Sequence, residues 1–176
     1  MFIRIFSALA AAVILFAVFV STRPDTFSYS RSIAIEAAPE AVFPYVNDLH
    51  QWENWSPWAD LDPEMTRIYD GAAAGEGAIY RWSGNHEVGE GSTTIIASRP
   101  NESVRMKLEF LKPFKGTNDV EFTFRSEGEQ TIVTWAMSGK NNFISKAVGV
   151  FMDCEKMIKG QFDQGLTNLK GIVEGA

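Results

Sequence analysis

The sequence has few of the side chains on which catalytic and metal sites most often depend. Its 176 residues include one cysteine, Cys154, and two histidines, His50 and His86. A single cysteine excludes an internal disulfide and a cysteine-based metal cluster, and two histidines this far apart do not form a metal-ligand pattern. The chain also lacks a nucleophile elbow, a phosphate-binding loop and a dinucleotide fingerprint. We therefore predict no metal and no cofactor.

Basic side chains are scarce as well. The chain has 16 lysines and arginines against 22 aspartates and glutamates, which gives a net charge of −6. No basic run offsets this balance, so we expect no nucleic-acid partner. The hydrophobic fraction of 45% is enough for one globular domain with a substantial core.

The longest apolar run lies near the amino terminus. Residues 5–20 are apolar apart from Ser7, with Arg4 before the run and Arg23 after it. A helix of this length extends about 24 Å at ~1.5 Å per residue, against a hydrocarbon layer of ~30 Å. The run therefore lies between a signal peptide and a short membrane span in length. Its lack of a polar face argues against a helix of the protein core.

From this run we predict an uncleaved anchor over residues 1–22, which attaches the chain to a membrane through residues 5–20 as a single span. The alternative is a signal that is cleaved on export, although small residues are poorly placed for cleavage. Residues 23–27 then form a linker and residues 28–176 a domain. Positive charges flank the run almost equally, and we place the domain on the extracytoplasmic, periplasmic side, as for a signal anchor.

The middle of the chain predicts strands. The candidates are residues 28–36, 66–70, 77–83, 88–98, 102–111, 117–126 and 129–138. In the later strands apolar and polar side chains alternate, which predicts a sheet with one apolar face that needs a single cover. Gly89 and Gly91 within one strand suggest a bulge that helps the sheet to curl.

Short helices are predicted between the first two strands. Pro39 suits the first turn of a helix, and Ser56 is placed to cap a second one that begins at Pro57. Three tryptophans at intervals of three residues indicate a tight helical turn with their rings on one side; they are Trp52, Trp55 and Trp58. These rings either fill one end of the core or line the mouth of a pocket.

The last stretch, residues 142–174, is the cover that the sheet needs. Apolar residues recur there at steps of three and four and form one stripe of a helix; they are Ala147, Val150, Phe151, Cys154, Met157, Ile158, Phe162, Leu166, Leu169, Ile172 and Val173. We predict a break at Met152 and Asp153, with residues 143–151 as a separate short helix. The prediction is a curved sheet around one long helix, with a pocket between them.

The order of elements and several short motifs resemble a known family. The motifs are Ala37–Phe43, Trp52–Trp58, Trp82–Asn85, Val88–Gly91, Phe110–Phe114, Thr134–Gly139 and Gly165–Lys170. Together, over about residues 28–174, they resemble the START-like (SRPBCC) superfamily, in its polyketide cyclase/dehydrase-like branch of bacterial proteins. The resemblance implies an α+β helix-grip fold, in which a curved antiparallel seven-stranded sheet wraps around a long C-terminal helix; here a hydrophobic N-terminal helix precedes it. It also implies a cavity for lipids, polyketides or other apolar molecules. It assigns no catalytic residues, because the family has no shared catalytic set.

Large apolar side chains on the predicted inner surfaces are the candidate ligand contacts, although the same set also suits an ordinary core. They are Trp55, Trp58, Tyr80, Trp82, Met106, Phe110, Phe122, Phe124, Trp135, Met137, Met157 and Phe162. The weak catalytic candidates are Tyr80, Arg81 and His86, which could act as acids or bases at a pocket rim.

Three functions remain open on the sequence. The first is a membrane-tethered protein that binds, sequesters or transfers a hydrophobic small molecule or lipid. The second is a cyclase- or dehydratase-like enzyme on an apolar substrate. The third is a regulatory interaction module with a filled interior and no ligand. We favour the first, and the sequence does not predict an oligomeric state.

Overall fold

The structure is a computed structural model that describes residues 2–175, without the side chains at positions 2–4, 8 and 60. The outermost residues of the predicted ranges, 1 and 176, lie outside this description. The elements in chain order are α1 (Phe2–Ser21), β1 (Thr26–Ile35), α2 (Pro39–Asn47), a 3₁₀ helix (Leu49–Asn54), α3 (Pro57–Leu61), β2 (Thr66–Gly71), β3 (Ala78–Ser83), β4 (Glu90–Arg99), β5 (Ser103–Lys112), β6 (Gly116–Glu127), β7 (Gln130–Lys140), α4 (Phe143–Phe151) and α5 (Cys154–Glu174).

The apolar run at the amino terminus forms α1. Most of its described side chains are exposed, while Val20 is buried and the ring of Phe16 lies 5.8 Å from that of Phe151 in α4. Over residues 2–175, no helix is both long enough and apolar enough to cross a membrane. The predicted transmembrane anchor over residues 5–20 is therefore not supported by the structure.

The seven strands form one antiparallel sheet in the order β1-β7-β6-β5-β4-β3-β2. The predicted curved antiparallel seven-stranded sheet is confirmed, and no strand boundary differs from its prediction by more than two residues. The β4–β5 ladder shifts register between Glu90 and Gly91, so the predicted bulge is confirmed, and it shifts again between Ile95 and Ala97. Both irregularities increase the curl of the sheet.

The carboxyl-terminal stretch is broken at Met152 and Asp153, as the sequence predicts. The helix α4 ends at Phe151, and the side chain of Asp153 accepts a hydrogen bond from the backbone N–H of Lys156 at 3.0 Å. This N-cap starts α5 as a separate helix. The prediction that one apolar stripe continues through both helices is wrong, because α4 buries no residue and only α5 covers the sheet.

The core lies between α5, α2 and the concave face of the sheet. Gly165 of α5 permits a close approach to β7 and α3, because a Cβ built there would lie 2.9 Å from Cζ3 of Trp135 and 3.1 Å from Cδ of Pro57. Gly160 lies slightly more than one helical turn earlier in the sequence, and a Cβ built there would meet open space. The two glycines therefore serve different purposes in one helix.

Substitution of these glycines by alanine should change stability in opposite directions. Gly160→Ala should raise the free energy of unfolding by up to about 1 kcal/mol, because alanine favours the helix. Gly165→Ala should lower it by up to about 2 kcal/mol, because an overpacking cost of ~1–3 kcal/mol exceeds the helix gain. Urea unfolding of the two variants measures both values, and a stabilised Gly165→Ala variant would contradict the close contact.

Candidate functional site

A cavity of about 280 Å³ lies between the concave face of the sheet, α3 and the first half of α5. Every strand contributes a side chain to its wall, from Phe27 of β1 to Met137 of β7. The volume is close to the lower end of the ~300–1,000 Å³ typical of small-molecule sites. The interior of the domain is thus not completely filled by its own side chains.

Aromatic rings close the inner part of the cavity. The ring of Trp135 stacks on that of Phe162 at 4.3 Å between centroids and lies 4.8 Å from that of Phe122. Trp55 is almost fully buried behind them, whereas Trp52 and Trp58 line the cavity. Of the two alternatives for the tryptophan motif, the core-filling one therefore applies to Trp55 and the pocket-lining one to Trp52 and Trp58.

The structure places eight of the twelve predicted ligand contacts at the cavity wall. They are Trp58, Tyr80, Trp82, Met106, Phe110, Trp135, Met137 and Phe162. Their role in binding remains a prediction, since no bound molecule tests it.

The other four predicted contacts do not line the cavity. Trp55, Phe122 and Phe124 are buried in the core, and the ring of Phe124 packs against Phe43 of α2 at 5.6 Å. Met157 is 53% exposed, because its neighbour Ile158 takes the inward position on α5. Alternation along a strand predicts the face of a side chain, but it does not predict whether that face meets core or cavity.

A cluster of polar side chains at the cavity wall was not predicted. The hydroxyl of Tyr69 donates a 2.6 Å hydrogen bond to Oε1 of Glu53, and Nε of Arg67 lies 3.8 Å from the same oxygen. The ring of Tyr80 stacks on that of Tyr69 at 5.2 Å. The alternation of Arg67 and Tyr69 along β2 places both on one face, but β2 is too short and too polar for its sequence to identify that face as the inner one.

Burial raises the pKa of the Tyr69 and Tyr80 hydroxyls above the ordinary value for tyrosine. At Tyr69 the hydrogen-bonded carboxylate of Glu53 raises the pKa further. Desolvation and a nearby negative charge both disfavour the ionised phenol. Both tyrosines are therefore neutral hydrogen-bond donors at neutral pH.

Two of the three weak catalytic candidates lie outside the cavity. Tyr80 lines it, but Arg81 points to the opposite face of β3, where its guanidinium pairs with Asp70. His86 is exposed in the loop between β3 and β4. Neither Arg81 nor His86 therefore lines the cavity, and their role as acids or bases stays a prediction.

The side chain of Ser56 also differs from its prediction. Pro57 begins α3 as expected, but the side chain of Ser56 makes no capping hydrogen bond and instead lines the cavity.

The cavity lies toward one end of the sheet. At that end β1 begins, β3 and β5 finish, and α5 starts, so Phe27, Trp82, Phe110 and Ile158 all reach the cavity. Glu87, in the β3–β4 loop, is an exposed residue of the wall and marks its solvent side. The same end of the sheet receives the chain from α1 and releases it into α4.

A curved antiparallel sheet that holds one long helix, with a cavity between the two, defines the helix-grip class of protein. Residues 26–174 match the model of the family described as "Polyketide cyclase / dehydrase and lipid transport", and the chain belongs to that family. No curated protein sequence matches the chain.

Solved structures show the same fold. The Aha1 dimer structure from Colwellia psychrerythraea is 19% identical, with a TM-score of 0.61 over 84% of this chain and 96% of that one. Protein CV1439 from Chromobacterium violaceum is 16% identical, with a TM-score of 0.60 over 86% and 99% of the two chains. The di-domain ARO/CYC StfQ from the steffimycin biosynthetic pathway is 8% identical, with a TM-score of 0.61 over 86% of this chain and 51% of that one. At these identities the likeness establishes the fold alone.

The raised pKa of Tyr69 predicts a loss of stability in alkali. Above about pH 10 the unfolded chain releases the hydroxyl proton of Tyr69 while the folded chain keeps it. The contribution of Tyr69 to the free energy of unfolding is therefore complete below that pH and declines above it. Tyr69→Phe should therefore show a shallower decline in the free energy of unfolding between about pH 9 and about pH 11. Urea unfolding at several pH values measures the slope.

Glu53→Gln provides a second test of the same contact, because it removes the charge that raises the pKa of Tyr69. We expect it to flatten the decline in part. Slopes equal to that of the natural chain in both variants would contradict the assigned interaction.

Proposed function

We propose that the protein binds a hydrophobic small molecule or lipid in the cavity between the sheet and α5. The observation that carries this proposal is a cavity of about 280 Å³ whose wall is mostly aromatic, methionine and aliphatic side chains. Such walls bury apolar ligands without demanding one exact shape. The description of the family, which includes lipid transport, supports the same conclusion. An interaction module with a filled interior fits this cavity poorly.

A cyclase- or dehydratase-like activity is the second candidate. The Glu53–Tyr69 hydrogen bond places a carboxylate and a phenol at a mostly apolar wall, as a proton-transfer site on an apolar substrate requires. The family description supports this candidate, as does the fold shared with StfQ, the ARO/CYC protein of a biosynthetic pathway. The enzyme candidate requires that the bound molecule be converted to a product, whereas the binding candidate requires only that the molecule be held.

A larger side chain in the cavity should block the binding that we propose. Leu108→Trp adds a ring to the cavity wall, whereas Ile96→Trp adds the same ring at an exposed position of β4. We expect Leu108→Trp to weaken the binding of a solvatochromic apolar dye by at least about tenfold, because the dye loses contact area. Ile96→Trp should bind as the natural chain does.

Mass spectrometry of the natural chain under native conditions completes this test. A copurified apolar molecule of constant mass supports binding, and conversion of that molecule to a product supports the enzyme. A natural chain that binds neither the dye nor any copurified molecule would refute both candidates.

We also propose that α1 and α4 attach the protein to a lipid surface, on its extracytoplasmic side. Described apolar side chains of α1 are widely exposed, as Phe6 shows at 74%, and Phe151 of α4 is 78% exposed. The contact between Phe16 and Phe151 joins the two helices into one apolar surface, and exposed apolar surfaces of this kind are typical of membrane or protein contacts. Because both helices adjoin the cavity end of the sheet, attachment there would bring the cavity close to the lipid.

Acidic substitutions in α1 test the attachment. The full chain should float with neutral phosphatidylcholine vesicles, and the double variant Leu9→Asp/Ile14→Asp should lose at least about tenfold in affinity, because aspartate costs about 2.5–3.5 kcal/mol in a bilayer. The control Ile68→Asp/Ile96→Asp changes exposed residues of the sheet and should float normally. A natural chain that stays out of the vesicle fraction would overturn the proposal.

A further inference from the structure

The loop between β5 and β6 exposes two large apolar side chains at the cavity end of the sheet. Leu111 is 48% exposed and Phe114 is 57% exposed. Residues 111–117 are exposed without interruption, whereas Phe110, the residue before them, lines the cavity. Exposed apolar side chains that are grouped in this way are typical of a surface that contacts another molecule or a membrane.

The loop borders the rim of the cavity. Gly89 of the β3–β4 loop packs against the backbone carbonyl of Lys112, and Glu87 and Val88 of the same β3–β4 loop line the cavity. On its other side, β6 pairs with β7, and β7 pairs with β1. The β5–β6 loop therefore lies within three strand spacings, about 15 Å, of the strand ends that lead to α1 and α4.

Charge distinguishes the two ends of the strands β1, β5, β6 and β7. At the cavity end, their terminal residues and the loops next to them carry four basic side chains and one acidic one; they are Arg23, Lys112, Lys115, Lys140 and Asp25. At the opposite end they carry four acidic side chains and no basic one; they are Glu36, Glu102, Glu127 and Glu129.

This half of the cavity end is therefore positive in a chain whose net charge is −6. The acidic side chains of the cavity end are grouped on the other half of the sheet, near β2 and β3; they are Asp62, Glu64 and Glu87. A charge distribution of this kind turns the β5–β6 loop toward an anionic surface.

The two lysines of the loop flank Phe114 and reach solvent. Lys112 forms an ion pair with Glu90 at 2.7 Å, but its side chain remains 74% exposed. Lys115 is exposed as well. An apolar side chain between two lysines suits the surface of an anionic bilayer, because the ring can enter the hydrocarbon while the ammonium groups stay at the level of the phosphates.

We propose that the β5–β6 loop inserts Leu111 and Phe114 into an anionic lipid surface, and that Lys112 and Lys115 bind the phosphates of its headgroups. The loop is a lipid contact in addition to α1 and α4, and it brings the rim of the cavity against the lipid. This inference rests on the proposed attachment to a lipid surface and adds the loop and the charge of the lipid.

An environment-sensitive dye at either end of β6 reports insertion directly. In a Cys154→Ser background, the dye is attached through Gly116→Cys beside the loop, where an added Cβ meets nothing within 4 Å, or through Ser126→Cys at the opposite end of the strand. With vesicles of phosphatidylcholine and phosphatidylglycerol, the emission of the dye at position 116 should shift to the blue and that of the dye at position 126 should not. A dye at position 116 that stays in water on vesicle-bound protein would overturn the inference.

Variants of the loop test the two kinds of contact separately. Lys112→Gln/Lys115→Gln should lower the affinity for vesicles that contain phosphatidylglycerol by at least about fivefold, and leave that for pure phosphatidylcholine unchanged, because only the anionic surface attracts lysine. Leu111→Ala/Phe114→Ala should lower both affinities by at least about fivefold, because less apolar area is buried.

Each double variant has a matched control on the sheet. Arg99→Gln/Arg105→Gln removes the same charge at exposed positions away from the loop, and Ile68→Ala/Ile96→Ala removes apolar area at exposed positions of β2 and β4. Both controls should bind each kind of vesicle as the natural chain does. Thermal unfolding first establishes that all four variants are folded.

Equal affinity of the natural chain for the two kinds of vesicle overturns the inference and leaves attachment through α1 and α4 intact. A natural chain that binds neither kind of vesicle counts against lipid attachment itself and against the loop contact with it. Analytical ultracentrifugation tests a second copy of the chain as the occupant of the loop. A natural chain that self-associates through Leu111 and Phe114, with vesicle affinity unchanged in Leu111→Ala/Phe114→Ala, would also overturn the inference.

Discussion

The sheet has one apolar face over seven strands, and one long helix covers it. The helix α5 packs along β1 and touches β7, α2 and α3, and Gly165 leaves room for the ring of Trp135 at the contact with β7. The strands on the other side of the sheet, from β2 to β5, curl around without a long helix to cover them; the short 3₁₀ helix contacts β3 and bonds to β2 through Glu53 and Tyr69. Aromatic side chains fill part of that space, and the unfilled part is the cavity. The site thus follows from the mismatch in width between the sheet and its cover.

This mismatch also explains why charged groups occur at the cavity wall. A filled core would exclude the charge of Arg67, whose side chain is 19% exposed, because buried charges cost several kcal/mol unless they are paired; Glu53 keeps contact with solvent, since its side chain is 49% exposed. At the edge of a cavity the two charges can face each other, with Tyr69 as a donor to the carboxylate. The resulting wall is apolar over most of its area and polar at one side, which suits a molecule of the same character.

The sequence predicts the fold more completely than the site, for physical reasons. Alternation in β5 and β6, Pro39 at the start of α2 and the break at Met152 and Asp153 are local signals, and the structure follows each of them. The cavity depends on distances between elements that are remote in sequence. Phe124 and Phe110 have the same pattern of neighbours, yet one packs on α2 and the other borders the cavity. Arg67 and Tyr69 were missed because their strand has no apolar alternation, and the resemblance to a family could not supply them either.

The break between α4 and α5 has a mechanical consequence. Asp153 caps α5 on its own, so the covering helix keeps its first turn whatever the position of α4. A continuous rod through Met152 would pass every displacement of its exposed segment to the sheet. Because the two helices are separate at this point, α5 holds Phe162 and Leu166 in the core without any contribution from the exposed helix α4.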